Sequence, residues 1–158
     1  MKIYIQDGQL RPFHAVFATP MSMNTIAVYN TANMEYPMAT AVDAKPPTGV
    51  AAYVKNPEGM AIQAGTVQGG GAVRTFPMDP NCERIAISLK SDGRNIKARV
   101  ELTQGPNNVK QAIEFYSSDG KKRPFFAVVE TPGPGNVIRI INENTVEFPF
   151  TACLQPEG

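Results

Sequence analysis

A phrase written twice constrains this chain more than any other feature of its 158 residues. RPFHAVFATPMSMN at positions 11–24 returns as RPFFAVVETPGPGN at 123–136, and a shift of 112 residues lays the first 42 positions over 113–154 without a gap. Fifteen of these positions are identical: Tyr4, Asp7, Gly8, Arg11, Pro12, Phe13, Ala15, Val16, Thr19, Pro20, Asn24, Ile26, Asn30, Glu35 and Pro37, each with its counterpart. Ordinary residue frequencies give about two or three. Shared text of this kind implies shared supersecondary structure.

Each repeat reads as four strands. In the second, Glu114 to Ser118 ends at Asp119-Gly120, a tight-turn dipeptide able to supply positive φ, and Pro124 to Thr131 follows with proline at its first position. That pair predicts a hairpin. TPGPG at 131–135 is a loop, Asn136 opens the run VIRII ending at Asn142, and Glu147 to Leu154 alternates Phe148, Phe150, Ala152 and Leu154 with polar or small residues. Pro149, and Pro37 in the first repeat, fall inside their strands, which predicts a sheet edge or a bulge there. Upstream, Ile85, Ile87 and Leu89 alternate along one strand, and Ile96, Ala98, Val100 and Leu102 along the next, joined by SDGRN. Six strands from Arg84 to Leu154 therefore predict a continuous antiparallel unit of sandwich type.

The first repeat begins with Met1 in the place of Ile113, so it reads as a partial unit without that upstream pair. The predicted organisation is a partial repeat at 1–42, a connecting region at 43–79 with an extra hairpin or two around VAAYVK and AVRTFPM, and a full unit at 80–158. Fourteen Pro, 13 Gly and a charged fraction of 18% fit short strands joined by many turns. The expected fold is an all-β antiparallel two-sheet sandwich in which the partial repeat adds strands to the full one, with two separate lobes as the alternative.

Charge excludes some partners. Lys plus Arg number 15 against 14 Asp plus Glu, so no strong field draws in nucleic acid or an anionic membrane. No apolar run approaches a membrane span, MKIYIQDGQ lacks the character of a signal or transit peptide, and the chain reads as soluble. Cys82 and Cys153 are read as free buried thiols, because two such distant cysteines make no disulfide scaffold.

Little points to catalysis. The one histidine, His14, has Phe126 as its counterpart and reads as an aromatic-sized filler on a half-buried strand. One His and two distant Cys argue against zinc, the carboxylates fall singly, and no cofactor is expected. TPGPGN and VQGGGAV introduce no helix and read as turns, not phosphate cradles. Asp7, Asp119, Asn24 and Asn136 occupy turn positions in both repeats; calcium ligation there is weakly supported. Arg11 and Arg123 each precede Pro-Phe, while Glu35 and Glu147 also recur. A local Arg to Glu brace at equivalent corners is one reading and a pair of contact sites the other. Gly133-Pro134-Gly135 is replaced by Met21-Ser22-Met23 in the first repeat, and two flexible apolar side chains on a loop suit burial against a neighbour or in the core. Met21, Met23, Arg11, Arg123 and Pro134 are the candidate self-assembly contacts.

The segments ELTQGPNNVKQAIEFYSSDGKKRPFFAVVETPGPGNVIRIINENTVEFP at 101–149 and GGAVRTFPMDPNCERIAISLKSDGR at 70–94 resemble the pyrenoid shell proteins of diatoms and related marine algae. The resemblance implies a β-rich, non-enzymatic structural protein. It would assemble with itself into a sheet around the Rubisco matrix of an algal chloroplast, with that matrix as a further partner and no catalytic residues. Open sheet edges fit such a role, since unpaired N–H and C=O groups accept a strand from another chain. A soluble carbohydrate- or ligand-binding sandwich is the alternative, and the absence of Trp counts against it.

Overall fold

The computed structural model describes residues 1–20, 23–43, 63–106 and 108–156, and among these the regular structure is all β. Ten strands form: β1 (Lys2–Ile5), β2 (His14–Ala15), β3 (Gln63–Val67), β4 (Val73–Pro77), β5 (Arg84–Lys90), β6 (Ile96–Gln104), β7 (Val109–Ser117), β8 (Phe125–Glu130), β9 (Asn136–Asn142) and β10 (Phe150–Pro156). They make two five-stranded antiparallel sheets, ordered β1-β7-β6-β9-β4 and β2-β8-β5-β10-β3. The predicted two-sheet sandwich is the observed fold class.

The strands are joined differently from the prediction. β7 and β8 do not pair as a hairpin; each lies in a different sheet, as do β5 and β6, β9 and β10, β3 and β4, and β1 and β2. Each of these five pairs is thus an arch that crosses the sandwich, and the molecule is a stack of five arches, while β6 and β7 pair as a hairpin within one sheet. Burial explains the choice. Strand β5 turns Ile85, Ile87 and Leu89 to one side, β6 turns Ile96, Ala98, Val100 and Leu102, and all are buried. Placing the two strands in facing layers lets those rows pack on each other. Phe115 of β7 and Phe125 of β8 meet edge to face across the layers, ring centroids 5.0 Å apart. Gly120 matters at this corner for closeness and not for positive φ: a Cβ there would overlap Ser91 Oγ and the Ile96 side chain of the next arch.

Two sequence expectations about strand ends are corrected. β10 is an interior strand, paired with both β5 and β3, and Pro149 lies just ahead of it, where its missing N–H removes no ladder bond. In the first repeat only the first two of four predicted strands form. Residues 23–43 contain no strand, so Pro37 also sits outside one. A strand needs a neighbour: β9 and β10 are hydrogen-bonded on both sides, whereas 25–30 and 38–42 form no ladder with any described residue. VAAYVK at 50–55 lies outside the described residues.

The two strands that do form in the first repeat extend the two sheets. β1 pairs with β7 with Lys2 opposite Glu114, and β2 pairs with β8 with Ala15 opposite Ala127. In both cases a residue faces the position 112 further on, so each pair is antiparallel about a local two-fold axis normal to the sheets.

Candidate assembly surface

The two ends of the stack differ in chemistry. At the β3–β4 end, Arg74 reaches across the layers: its Nη1 donates to Thr66 O at 3.3 Å and its guanidinium lies 6.0 Å from the Phe76 ring centroid. Gly65 leaves the room, since a Cβ there would touch the guanidinium. A charge laid over an edge opposes addition of further strands. Among the described residues the β1–β2 end has no such arginine. Ile3, Leu10 and Phe17 are exposed there, although Phe115 and Val129, which align with Ile3 and Phe17, are buried in the core.

The segment 23–43, which follows β2 in the chain, holds the largest concentration of exposed apolar side chains among the described residues. Ile26, Val28, Tyr29, Met34, Tyr36 and Met38 are all exposed. Large exposed apolar patches on a soluble fold mark contact surfaces.

The predicted contact residues separate on this frame. Met23 is 98% exposed, as its proposed role requires, whereas Met21 lies outside the described residues. Met23 also has φ of 70°, a left-handed conformation that costs a side-chain-bearing residue, and its counterpart Gly135 has φ of 78°. Met23→Gly should therefore stabilise the isolated molecule by about 1 kcal/mol, read as a shift in denaturation midpoint. Pro134 is exposed, and its carbonyl accepts from Gln104 Nε2 at 3.0 Å. Arg123 is exposed and Arg11 is not: Arg11 is buried and donates from Nη2 to Gln104 Oε1 at 2.8 Å. The asymmetry has a structural source. Gln104 ends β6, which follows β7 in the sheet; on the side of β1 away from β7 no described strand follows.

The Arg to Glu brace is replaced by other bonds. Among the described residues Arg11 goes to Gln104. Glu147 lies beside Arg94, whose Nη1 donates to the Glu147 carbonyl, and the Glu147 carboxyl is held below its usual range chiefly by a hydrogen bond from Thr145. Glu35 is exposed and forms no ion pair among the described residues. His14 is no core filler either. It is exposed, with Nε2 3.9 Å from Glu130 Oε1, and Arg84 Nε lies 3.5 Å from the same carboxylate. Among the described strands β2 is at an edge with one ladder neighbour, and His14 beside that edge is exposed, whereas Phe126 on interior β8 is buried.

The turn residues do what Asx residues do. Asp7 Oδ1 accepts from the N–H groups of Gln9 and Leu10, both at 3.0 Å, and Asp119 Oδ1 from those of Lys121 and Lys122 at 2.9 and 3.0 Å. The Lys122 and Lys121 N–H groups hold the Asp119 carboxyl below its ordinary 3.8. A lowered folded-state value means that this turn's contribution is present above the unfolded value and is lost as pH falls through the folded one. Asp119 should titrate below 3.8 by NMR, and Asp119→Asn should remove that part of the acid loss. Asn24 Nδ2 donates to Pro20 O at 3.0 Å and Asn136 Nδ2 to Pro132 O at 3.1 Å.

Sequence reading missed Asn142. It is wholly buried, donates from Nδ2 to Val67 O at 3.1 Å and Phe148 O at 2.8 Å, and accepts from Asn144 N–H at 3.0 Å, tying the β9–β10 corner to the β3–β4 arch. Its identity with Asn30 across the repeats was the available signal. Cys82 and Cys153 are not joined in a disulfide; Cys153 is buried and Cys82 half-buried. Among the described residues no three His, Cys, Asp or Glu side chains converge as metal ligands. An open depression of about 440 Å³ lies along β1, β6 and β7, lined by Lys2, Tyr4, Arg99 and Glu114 among others, and His14 is not part of it.

This site is a surface of open edges and exposed apolar residues, not a cleft. No curated protein matches the chain. A model of the family described as diatom pyrenoid shell protein matches residues 1–156, essentially the full length, and the chain belongs to that family.

Proposed function

We propose that this protein is a non-enzymatic structural element that associates with its own kind into a protein sheet or tube enclosing the Rubisco-containing pyrenoid at its periphery in an algal chloroplast, and so supports carbon concentration and fixation. Membership of the pyrenoid shell family supports the place and the structural role. The observation that carries the reading is the contrast between the arginine-covered β3–β4 end and the open β1–β2 end with its apolar extension. Unpaired strand edges beside exposed Ile, Val and Met are a site for strand addition. A net charge of +1 leaves little repulsion between packed molecules. Rubisco is a further partner of the finished layer.

Negative-stain electron microscopy of the purified protein at high concentration tests this reading. Ordered sheets or tubes are the expected result, and dispersed monomers under all conditions would overturn it.

A further inference from the structure

Residues 23–43 are a sixth arch whose corner is made and whose legs are unstacked. Asn30 Nδ2 donates to Tyr36 O at 2.8 Å, as Asn142 does to Phe148 O at 2.8 Å. Ala32 N–H donates to Asn30 Oδ1 at 3.0 Å, as Asn144 N–H does to Asn142 Oδ1 at 3.0 Å. Tyr36 N–H reaches Asn33 O at 3.0 Å, as Phe148 N–H reaches Thr145 O at 3.1 Å. Three bonds of the β9–β10 corner thus recur, and the Thr145 N–H bond to Asn144 Oδ1 does not, since Ala32 aligns with Asn144. The legs differ in burial: Ile138, Ile140 and Leu154 are 0% exposed, whereas their aligned residues Ile26, Val28 and Val42 are 47%, 53% and 70% exposed.

What covers such legs is visible on β9 and β10, which are flanked by the β5–β6 arch on one side and the β3–β4 arch on the other. The loop 131–135 carries the chain from β8 to β9 past the β5–β6 arch; the gapless alignment sets the arm against β9–β10 and β1–β2 against β7–β8, so by analogy one arch has its place between β1–β2 and the arm. A second molecule's β5–β6 arch is not available to fill it, because β6 is already held by β7 and β9 and β5 by β8 and β10. Among the described residues, the arm's own legs leave the apolar side chains of Ile26, Val28, Met38 and Val42 exposed.

We propose that two molecules exchange arms about a two-fold axis normal to the sheets. The arm of each lies against β1 and β2 of the other, and the two arms pair with each other at the centre. Such an axis reverses strand direction while keeping inner faces inside. The order β1, incoming arm, own arm and the second molecule's first strand is therefore antiparallel throughout, and Ile26, Val28, Met38 and Val42 all enter a shared core. The relation repeats the one between β1 and β7. The edges at this end are satisfied by two molecules without a third, and the arginine-covered ends face outward. The inference goes beyond the sheet proposed above, which needs further contacts between such pairs.

Two measurements test it. Light scattering of the intact chain should give a mass of two chains or a multiple of two, and Ile26→Asp with Val28→Asp should reduce it to one while leaving the far-ultraviolet circular dichroism of the five-arch stack in place. Single cysteines placed in turn along 24–30, in a Cys82→Ala, Cys153→Ala background, should include one that oxidises to an interchain disulfide with its own symmetry mate, as only a two-fold arm-to-arm pairing allows. An unchanged mass for the double aspartate variant, or no single-site crosslink anywhere in 24–30, would overturn the exchange. Protection of the arm only when a synthetic 84–104 peptide is added would also overturn it and assign the space to a foreign arch. Stable dimers without lattices would sink the sheet and leave the exchange standing; lattices that survive both aspartates would do the reverse.

Discussion

A chain carrying Gly69→Ala is expected to lose about 3 kcal/mol of stability, the upper end for forced overpacking. Gly69 sits in the β3–β4 corner, and a Cβ there would overlap the carbonyl group of Thr145 in the β9–β10 corner, with the Val146 Cα 3.1 Å away. These are backbone atoms, and no rotamer change relieves them. The two corners are held together at this point: Gly70 N–H donates to Asn144 O at 2.6 Å and Gly71 N–H to Asn142 O at 2.8 Å. Added bulk should therefore lift the whole β3–β4 arch and uncover one side of β9 and β10. The check is a urea denaturation midpoint, together with hydrogen exchange at the β9 amides that face β4. A midpoint change below about 0.5 kcal/mol would show that the corners are not packed this closely.

Asn142→Ala should cost about 3 kcal/mol, because it leaves two carbonyls and one N–H without partners in a site closed to water. Asn30→Ala removes the aligned side chain and the aligned corner bonds, yet in a lone molecule it should cost less than about 0.5 kcal/mol, since water reaches the groups it leaves behind. The two substitutions differ only in whether the arch around them is stacked. In an associated preparation the cost of Asn30→Ala should rise towards that of Asn142→Ala. Equal, small effects for both variants under every condition would contradict the burial described for the β9–β10 corner.

Much of the second repeat was legible because its strands carry their own period. The alternation of Ile85, Ile87 and Leu89, and of Ile96, Ala98, Val100 and Leu102, states which side is buried whatever the connection. What period two leaves open is whether consecutive strands share a sheet, and here the need to face one apolar row against another made arches of β5–β6 and β7–β8, while β6 and β7 stayed a hairpin. The first repeat misled for a different reason. TIAVYN resembles VIRIIN as text, but a strand is completed by its ladder partners, and no described residue supplies them to 24–30. Arg11 and His14 show the same dependence on place: the arginine is buried because β6 ends beside it, and the histidine is exposed on β2, beyond which no described strand follows. Asn142 carried a signal in its identity with Asn30, yet an asparagine at a strand end reads as an ordinary turn former until the carbonyls of Val67 and Phe148 are seen around it.

The most direct measurement is amide hydrogen exchange across 24–30 and 38–42 as a function of protein concentration. If this end of the stack is where molecules of this family dock, these amides exchange at nearly free-chain rates in dilute solution and become protected as association proceeds, while β5 and β6 stay protected throughout. Exchange in both segments that stays fast in fully associated material would mean that the open end is left bare, and that the molecules meet elsewhere.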